Sequence, residues 1–313
     1  MKKLISIILP AYNEAIWLHT FCDQLQVYIQ KNTNYLREII IINDGSKDAT
    51  WDIITVLAEQ YTTIKWIDLS RNFWKEIALS AWLQYAKGNA AITMDADGQH
   101  PIERLTDFLE QWELGYDIVY NRRPHIHWAS IFKRITSKLF YTLFNKISEF
   151  KLESQTTDYR LLDRKVIDVF LQFTEKNRFY RGLIDRIWFS KKALIFDALP
   201  NTTNRTASYT YSKLTKLAID SITWFSVRPL RLVGYLWWII VIGSCLLLLL
   251  MVIDKFSWDR FWFTNLWVVV MINTLLVGIV MVSLWLMAIY KAQIHEEVKW
   301  RPLFIVKETR NLS

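Results

Sequence analysis

Short apolar runs alternate with stretches of helical periodicity along the N-terminal part of the chain. Each run is rich in β-branched residues and ends in a polar, turn-forming segment; the runs are residues 4–9, 38–43, 64–69 and 90–95. In the intervening stretches apolar residues recur at steps of three and four, over residues 16–31, 49–60 and 76–86. Strand followed by helix, repeated, predicts an α/β fold: a mostly parallel, Rossmann-like sheet with helices on both faces.

Two much longer apolar runs occupy the C-terminal part. Residues 232–253 and 261–290 contain no charged side chain, and about 20 apolar residues suffice for a helix to cross a bilayer. Lys and Arg flank the outer ends of this pair, whereas the linker 254–260 sums to zero charge. By the positive-inside rule we expect a multi-pass protein of a plasma membrane or cell inner membrane, with its globular part and its C-terminal tail in the cytoplasm.

Two further stretches interleave aromatic and aliphatic residues with Lys and Arg, a pattern typical of amphipathic helices. They cover residues 128–146 and 211–225. Each either lies on the bilayer surface or packs as an ordinary helix on the domain core, and the aromatic and basic content favours the surface. The predicted organisation is a cytoplasmic globular domain (1–210), a juxtamembrane amphipathic segment (211–231), two membrane helices (232–253 and 261–290) and a cytoplasmic tail (291–313).

Composition limits the classes of partner. The formal net charge of +8 suits nucleic acid, anionic lipid and phosphorylated substrates equally well. We expect a lipid bilayer among the partners and no nucleic acid. Cys22 and Cys245 provide neither a disulfide framework nor a metal-ligand spacing, which indicates a reducing compartment. The oligomeric state stays open, a homo-oligomer included.

Polar clusters follow the predicted strands at the point where each strand ends. They are residues 10–14, 43–46, 70–72 and 95–97. Because ligands of open α/β sheets bind beyond the carboxyl ends of the strands, these clusters are expected to converge on one site. The glycine signatures of dinucleotide-binding folds and of P-loops are both absent from the sequence.

Asp95 and Asp97 are the most informative polar pair. They flank Ala96 at a strand end, so alternation points both carboxylates towards one side. Paired oxygen ligands suit Mg²⁺ or Mn²⁺, which in turn bridge substrate phosphates. A solvated turn built around Gly98 is the alternative, and the strand context of the segment DADGQHP favours the metal site.

With these residues placed, the chain closely resembles the family-2 inverting glycosyltransferases of the dolichyl-phosphate mannose synthase and bactoprenol glucosyltransferase type. The matching stretches extend over almost the whole chain: PAYNE (10–14), NDGSKDAT (43–50), LSRNF-KE (69–76), MDADGQHP (94–101), DYRLLDRKV (158–166), NRFYRG (177–182), FSVRPLRL (225–232) and EEVK-RP (296–302). The resemblance implies a GT-A fold followed by interfacial helices and two transmembrane helices. It also implies transfer of a sugar from a UDP- or GDP-linked donor to polyprenyl phosphate, undecaprenyl or dolichyl, at the cytoplasmic membrane face.

The same resemblance implies roles for individual residues. The nucleotide-sugar, with its base at Asp44, would be bound by Pro10, Tyr12, Glu14, Asp44, Arg71 and Asp95. The Mg²⁺ or Mn²⁺ ion on the diphosphate would be held by Asp95, Asp97 and Gln99. The lipid phosphate would be contacted by Arg122, Arg178 and Arg181, for which a solvated helix face is the alternative. The catalytic residues would be Asp97 and, at the position proposed for the base, Asp158.

The chemistry of the reactants supports this assignment. A metal ion stabilises the nucleoside diphosphate that leaves the anomeric carbon. The acceptor phosphate has a second pKa of about 6, so it is largely ionised at neutral pH and needs no strong general base. Asp158 would then position the acceptor or counterbalance Arg160. In-line attack predicts inversion, and therefore a β-linked product from an α-linked donor.

Tryptophan is unusually frequent and glycine unusually rare, with 16 against 8 in 313 residues. Trp74, Trp82, Trp188 and Trp300 stand where the resembled family usually has glycine. Replacing the smallest side chain by the largest should strain tight positions. We hypothesise that these codons are UGA and that the source organism reads UGA as glycine. Enrichment of tryptophan at a membrane interface is the alternative, and it does not account for Trp74.

Other departures from the family pattern concern the acceptor side. Thr156-Thr157 replaces the usual Thr-Gly before Asp158, and residues 204–209 replace the usual Gly-Glu-Ser-Lys-Tyr. The identity of the sugar therefore stays open.

Two other functions also stay open. One is a family-2 transferase with a different acceptor, whose usual QxxRW motif is absent from the sequence. The other is a degenerate transferase that acts as a membrane scaffold. Intact Asp44, Asp95 and Asp97 argue against the scaffold, whereas the tryptophan substitutions argue for it.

Overall fold

The structure is a computed structural model that describes residues 2–73, 75–96, 100–122, 156–176, 180–196, 265–299 and 301–310, with scattered positions between 230 and 249. The chain divides into two units. One contains the described residues up to 196 together with residues 301–310, and the other contains the described residues from 230 to 299.

The first unit alternates strands with helices. Its strands are β1 (Leu4–Ala11), β2 (Leu36–Asn43), β3 (Ile64–Leu69), β4 (Ala90–Thr93), β5 (Ile118–Arg122), β6 (Thr156–Asp163), β7 (Lys191–Ile195) and β8 (Val306–Arg310). Its helices are α1 (Leu18–Lys31), α2 (Thr50–Gln60), α3 (Lys75–Leu83), α4 (Leu105–Glu113), α5 (Arg164–Leu171) and α6 (Tyr180–Arg186), with a 3₁₀ turn at Ile102–Arg104. The elements up to β4 agree closely with the sequence prediction.

These strands form one eight-stranded sheet in the order β7-β5-β6-β4-β1-β2-β3-β8. The pairings of β1 with β2 and β4, of β2 with β3 and of β5 with β7 are parallel. In contrast, β6 and β8 pair antiparallel with their neighbours. The predicted α/β class with a parallel, Rossmann-like centre is therefore confirmed, and the two antiparallel strands are additions to it.

Helices cover both faces of the sheet because its central strands are apolar on both sides. On β2, Ile39 and Ile41 pack into the core that α1 and α2 cover, whereas Ile40 and Ile42 pack into the opposite core with α3. All four side chains are fully buried. A strand buried on both faces needs a continuous apolar run, and the four isoleucines provide it.

The end of the chain is more structured than the predicted cytoplasmic tail, residues 291–313. After the helix that precedes it, the chain adds β8 to the sheet as an antiparallel partner of β3. Lys307 lies 3.3 Å from Asp68, and Arg310 lies 3.6 Å from Glu59. The segment VKETR is short and polar, as edge strands often are, so its sequence carries little strand signal.

The second unit contains a long apolar helix, α7 (Asn265–Val298). Within it, Leu275–Val298 contains an 18-residue window with a mean hydropathy of 2.0 and is the one candidate membrane span that the described residues provide. Thus α7 continues past residue 290, where the second predicted span ends. The described positions between 230 and 249 are helical as well, and the Trp237 indole donates to the Ser283 hydroxyl at 3.2 Å. The interfacial stretches 128–146 and 211–225 lie outside the described residues.

Two of the four tryptophans at expected glycine positions are described. Trp188 has a φ of +59°, a backbone conformation that bulky side chains rarely adopt. Its side chain is 81% exposed. Trp82 is fully buried, and its indole N–H has no hydrogen-bond partner among the described residues. The backbone at position 188 therefore suits glycine, which supports the hypothesis for that position. Trp74 and Trp300 lie outside the described residues.

Candidate active site

The loops after β1 and β2 meet at the carboxyl edge of the sheet, as the sequence predicts. Asn13 N donates to Ser46 Oγ at 3.1 Å, and Asn13 Oδ1 accepts from Lys47 N at 2.8 Å. Glu14 N donates to Thr50 Oγ1 at 2.8 Å, at the start of α2. These bonds hold the predicted nucleotide-binding segment 10–14 against the Asn-Asp-Gly-Ser turn.

The turn after β2 also packs against the loop after β3. Gly45 has a φ of +66°, and a Cβ there would lie 2.4 Å from the carbonyl carbon of Arg71, so only glycine fits. Asp44 is buried, and its Oδ1 accepts from Phe73 N at 2.7 Å. The Arg71 guanidinium lies over the Phe73 ring, 4.4 Å from its centroid. Two residues predicted for the nucleotide-sugar, Asp44 and Arg71, therefore lie on adjoining loops.

The remaining predicted nucleotide contacts lie at the same edge. Pro10 is partly buried near the end of β1, and Tyr12, just beyond that strand, is 41% exposed. An exposed aromatic ring at a carboxyl edge can stack on a base. The geometry is thus compatible with a nucleotide at this edge.

Asp95 begins the segment that carries the predicted metal ligands. Its backbone N–H donates to His100 Nδ1 at 2.9 Å, so a neutral His100 carries its proton on Nε2. His100 is buried and stacks on Tyr159, with 4.7 Å between the ring centroids. The bond thus joins Asp95 to the residue five positions later in the chain. Asp97 and Gln99 lie outside the described residues.

One ammonium group joins the carboxylates of Asp95 and Asp158. Lys75, the first residue of α3, places Nζ 2.6 Å from Asp95 Oδ1 and 2.9 Å from Asp158 Oδ2. Desolvation would lower the pKa of this amine, but the two carboxylates together outweigh it and raise the pKa of Lys75. Periodicity does not single out Lys75, because its partners lie on other elements far along the chain.

Asp158 also binds Arg181 through a bidentate ion pair. Arg181 Nε lies 2.7 Å from Oδ1 and Nη2 lies 3.0 Å from Oδ2. Burial alone would raise the pKa of Asp158, but Lys75, Arg181 and Arg160 lower it well below its usual value. A carboxylate held by cations is a poor proton acceptor. The geometry therefore favours a positioning role for Asp158 over the role of catalytic base that the family resemblance implies.

Glu76 is a second carboxyl group near Asp158; it is half-buried, and no sequence motif gives it a role. Its Oε2 accepts from Tyr180 N at 2.8 Å, which links the start of α3 to the start of α6. Burial, and then the negative charge of Asp158, raise the pKa of Glu76. Through this link Lys75 and Arg181 are held side by side at Asp158. The stretch LSRNF-KE contains both Lys75 and Glu76, so the family resemblance marked the segment without a role for either.

The three arginines predicted for the lipid phosphate have different positions. Arg181 lies at Asp158. Arg122 is exposed at the end of β5 and pairs with Thr156, two residues before Asp158 on β6. Arg178 lies outside the described residues. Arg122 and Arg181 are thus associated with the same end of β6.

One member of the predicted metal-ligand set lies among the described residues. Asp95 offers carboxylate oxygens, and one of them already binds a cation, the Lys75 ammonium. Among the described residues no three His, Cys, Asp or Glu side chains form a ligand set. The set of Asp95, Asp97 and Gln99 therefore stays a prediction, of which Asp95 is the described member.

Known proteins are similar in sequence to nearly the whole chain. Residues 6–171 match the family model described as Glycosyl transferase family 2. An uncharacterized glycosyltransferase of Synechocystis sp. is 36% identical over 312 residues, 99% of this chain and 96% of that protein. The SfII prophage-derived bactoprenol glucosyl transferase of Shigella flexneri is 32% identical over 308 residues, 97% of this chain and 98% of that protein.

A solved structure matches more distantly. Mannosyl-3-phosphoglycerate synthase from Rubrobacter xylanophilus aligns with a TM-score of 0.48 at 15% identity, over 74% of this chain and 75% of that one. The sequence relatives, in contrast, cover both units of the structure.

Proposed function

The chain belongs to glycosyltransferase family 2 and is a glycosyltransferase, and from this premise we propose that it transfers a sugar from a UDP- or GDP-linked donor to polyprenyl phosphate. The transfer uses Mg²⁺ or Mn²⁺, inverts the anomeric configuration and takes place at the cytoplasmic membrane face. A relative named as a bactoprenol glucosyl transferase supports this acceptor class. The observation that carries the proposal is the cluster of Lys75, Asp95, Asp158 and Arg181 at the carboxyl edge of the sheet.

On the donor side, the loops with Tyr12 and Asp44 receive the nucleotide. Asp95, with Asp97 and Gln99, would hold the divalent ion. When bound, the ion supplies positive charge that stabilises the departing nucleoside diphosphate. The chain's own contribution is to orient the diphosphate at the strand ends, where the Asp95 N–H donates to His100.

On the acceptor side, positive charge is concentrated at Asp158. Lys75 and Arg181 both contact its carboxylate, and Arg160 further lowers its pKa. Cationic side chains in this arrangement suit a phosphate oxyanion. Because the acceptor phosphate is largely ionised at neutral pH, it can attack without transferring a proton to Asp158. The carboxylate instead keeps Lys75 and Arg181 in place.

The connectivity of the chain supports a membrane protein with two crossings. Both β7, before α7, and β8, after it, belong to one sheet, so the chain between them must leave and return on one side of a membrane. A single crossing by α7 would break this condition. The helical positions between 230 and 249, bonded to α7 through Trp237 and Ser283, offer the second crossing. We infer a multi-pass topology with the sheet and the chain terminus in the cytoplasm, in agreement with the positive flanks.

Transfer to lipid is the direct test. The full chain, purified in detergent, is incubated with undecaprenyl phosphate, Mn²⁺ and radiolabelled UDP-glucose, UDP-N-acetylglucosamine or GDP-mannose in parallel. We expect label in the lipid extract with at least one donor, and none in excess chelator. Asp95→Asn should reduce transfer at least about a hundredfold, by loss of charge stabilisation. The exposed Asp52→Asn should leave it unchanged.

Two other outcomes would contradict transfer to polyprenyl phosphate. Release of nucleoside diphosphate with label in a water-soluble product would indicate a different acceptor. Nucleotide binding without release from any donor would instead favour a membrane scaffold.

A further inference from the structure

Lys75 lies between two groups that the proposed reaction must use on different substrates. Its Nζ contacts Asp95, on the donor side, at 2.6 Å and Asp158, on the acceptor side, at 2.9 Å. A divalent ion bound to Asp95 would lie close to this ammonium group. The divalent ion and the ammonium group would repel one another at this distance, so the ion and Lys75 compete for Asp95.

We propose that Lys75 is a positioning residue that couples the two substrate sites: it bridges Asp95 and Asp158 until a divalent ion binds Asp95, and is then released to Asp158 and Arg181 on the acceptor side. This inference rests on the proposed function, because it assumes that Asp95 serves the donor and Asp158 the acceptor phosphate. It assigns Lys75 a role that no motif provides.

Burial decides which of the two contacts breaks. The Asp95 side chain is 29% exposed, whereas that of Asp158 is 7% exposed and is also held by Arg181. An ion pair nearer to solvent is the weaker of two, so the Asp95 contact gives way first. The Lys75 side chain is 42% exposed on a flexible stem and is able to swing.

The backbone around Lys75 is held in place while its side chain moves. Glu76 accepts from Tyr180 N at 2.8 Å, which anchors the start of α3 to α6, the helix that carries Arg181. Lys75 released from Asp95 therefore stays near Arg181. The acceptor phosphate then meets two cations instead of one, but only after the metal site is filled. The expected consequence is ordered binding, donor with its ion first.

Manganese binding to the full chain in detergent tests the competition without any sugar transfer. Free Mn²⁺ is measured by electron paramagnetic resonance, with and without UDP. Lys75→Gln should bind Mn²⁺ about three- to tenfold more tightly than the unsubstituted protein, because the competing cation is gone. Lys75→Arg keeps a cation and should stay near the unsubstituted value. Lys31→Gln, exposed at the end of α1, is the matched control and should change nothing.

A second variant is expected to change the Mn²⁺ affinity in the opposite direction. Asp158→Asn leaves Lys75 with Asp95 alone, so Mn²⁺ should bind about threefold more weakly. In the transfer assay, Lys75→Gln should raise the KM for polyprenyl phosphate and abolish the dependence of that KM on Mn²⁺. A purely structural role would lower activity without this separation.

The coupling is overturned if folded Lys75→Gln and Asp158→Asn proteins both bind Mn²⁺ as the unsubstituted chain does, or if the unsubstituted chain binds no Mn²⁺. Should one variant not fold, the other decides alone. A chain that binds Mn²⁺ with the expected changes but labels no lipid would refute the acceptor assignment and leave the competition intact. Transfer with unchanged Mn²⁺ affinity in both variants would refute the coupling alone.

Discussion

Asp158 shows how strongly a residue's chemistry depends on its neighbours. An isolated carboxylate at this depth would favour its protonated form, yet Lys75 and Arg181 contact it directly and Arg160 lies nearby. The result is a pKa well below the usual value of an aspartate. The carboxylate thus remains ionised throughout the physiological range and pairs with two cations.

The stability of the protein should reflect this ion cluster. Because the folded-state pKa of Asp158 is depressed, its contribution is present above the unfolded-state pKa of about 3.9 and is lost as pH falls through the folded-state pKa. At pH 7, Asp158→Asn should lower the free energy of unfolding by about 2 kcal/mol, since two cations lose their partner. Urea unfolding from pH 7 down to pH 3 should show the gap to the unsubstituted protein closing below about pH 4.

An exposed carboxyl group provides the control for this titration. Glu110→Gln, on the exposed side of α4, should track the unsubstituted protein at every pH. A constant gap between Asp158→Asn and the unsubstituted protein down to pH 3 would contradict the ion-cluster account.

Trp188 offers a second test at the scale of one residue. Its φ of +59° costs a bulky residue about 1–2 kcal/mol, and it is 81% exposed, so little packing is lost on truncation. Trp188→Gly should therefore raise the free energy of unfolding by about 0.5–1 kcal/mol after the entropy of glycine in the unfolded chain is subtracted. Trp188→Ala keeps a Cβ at positive φ and should gain less. A gain as large in alanine would show that backbone strain is not the cause.

The coding of this position can be read directly. A UGA codon at residue 188, with glycine in the natural protein by mass spectrometry, would establish the hypothesis there. A UGG codon would end it.

At the scale of elements, β8 closes the edge of the sheet beside β3. Five of the six residues of β3 are buried, and β8 pairs with it from Trp66 to Leu69. Without β8, the backbone of an apolar strand would be open to pairing with another chain.

Truncation tests the importance of this edge strand. A chain that ends after Pro302 should aggregate more readily and lose amide protection along β3 in hydrogen exchange, because its edge is uncovered. A chain that ends after Arg310 keeps β8 and should behave as the full chain does. Equal protection of β3 in both would mean that β8 does not pair in solution.

For the molecule as a whole, the shared sheet limits any path of the chain through a membrane. Strands from before and after α7 lie in one sheet, so any crossings between them must be even in number. The most apolar part of α7 is long enough for one crossing.

Reporter fusions test this topology in cells. Reporters at the C-terminus and within the N-terminal domain should both indicate the cytoplasm, whereas one in the linker 254–260 should indicate the opposite side. The proposed membrane helices lie between the C-terminal fusion and a fusion after residue 196. Opposite signals from these two would contradict the pairing of β8 with β3 in the membrane-bound protein.

The central strands and helices could be predicted because local patterns encode them. The isoleucines of β2 exclude a solvent-facing strand, and the polar clusters after β1, β2 and β4 follow from the rule that such sheets bind ligands at their carboxyl edge. The antiparallel β6 was not predicted as a strand, although its residues DYRLLD lie in a stretch that the family resemblance matched. Local sequence patterns predict β6 and β8 only weakly, because the strands that pair with them are distant in sequence.

Local periodicity and contiguous motifs in the sequence predict the α/β class, the sheet edge at which the polar clusters meet, the apolar segments and the family to which the chain belongs. The position of Lys75 between Asp95 and Asp158, and of Arg181 beside Asp158, emerges only from the folded chain. The same holds for the glycine-like backbone at Trp188 and for the return of β8 to the sheet. These features depend on the packing of elements far apart along the chain, and that packing sets the distances between charges and therefore their chemistry.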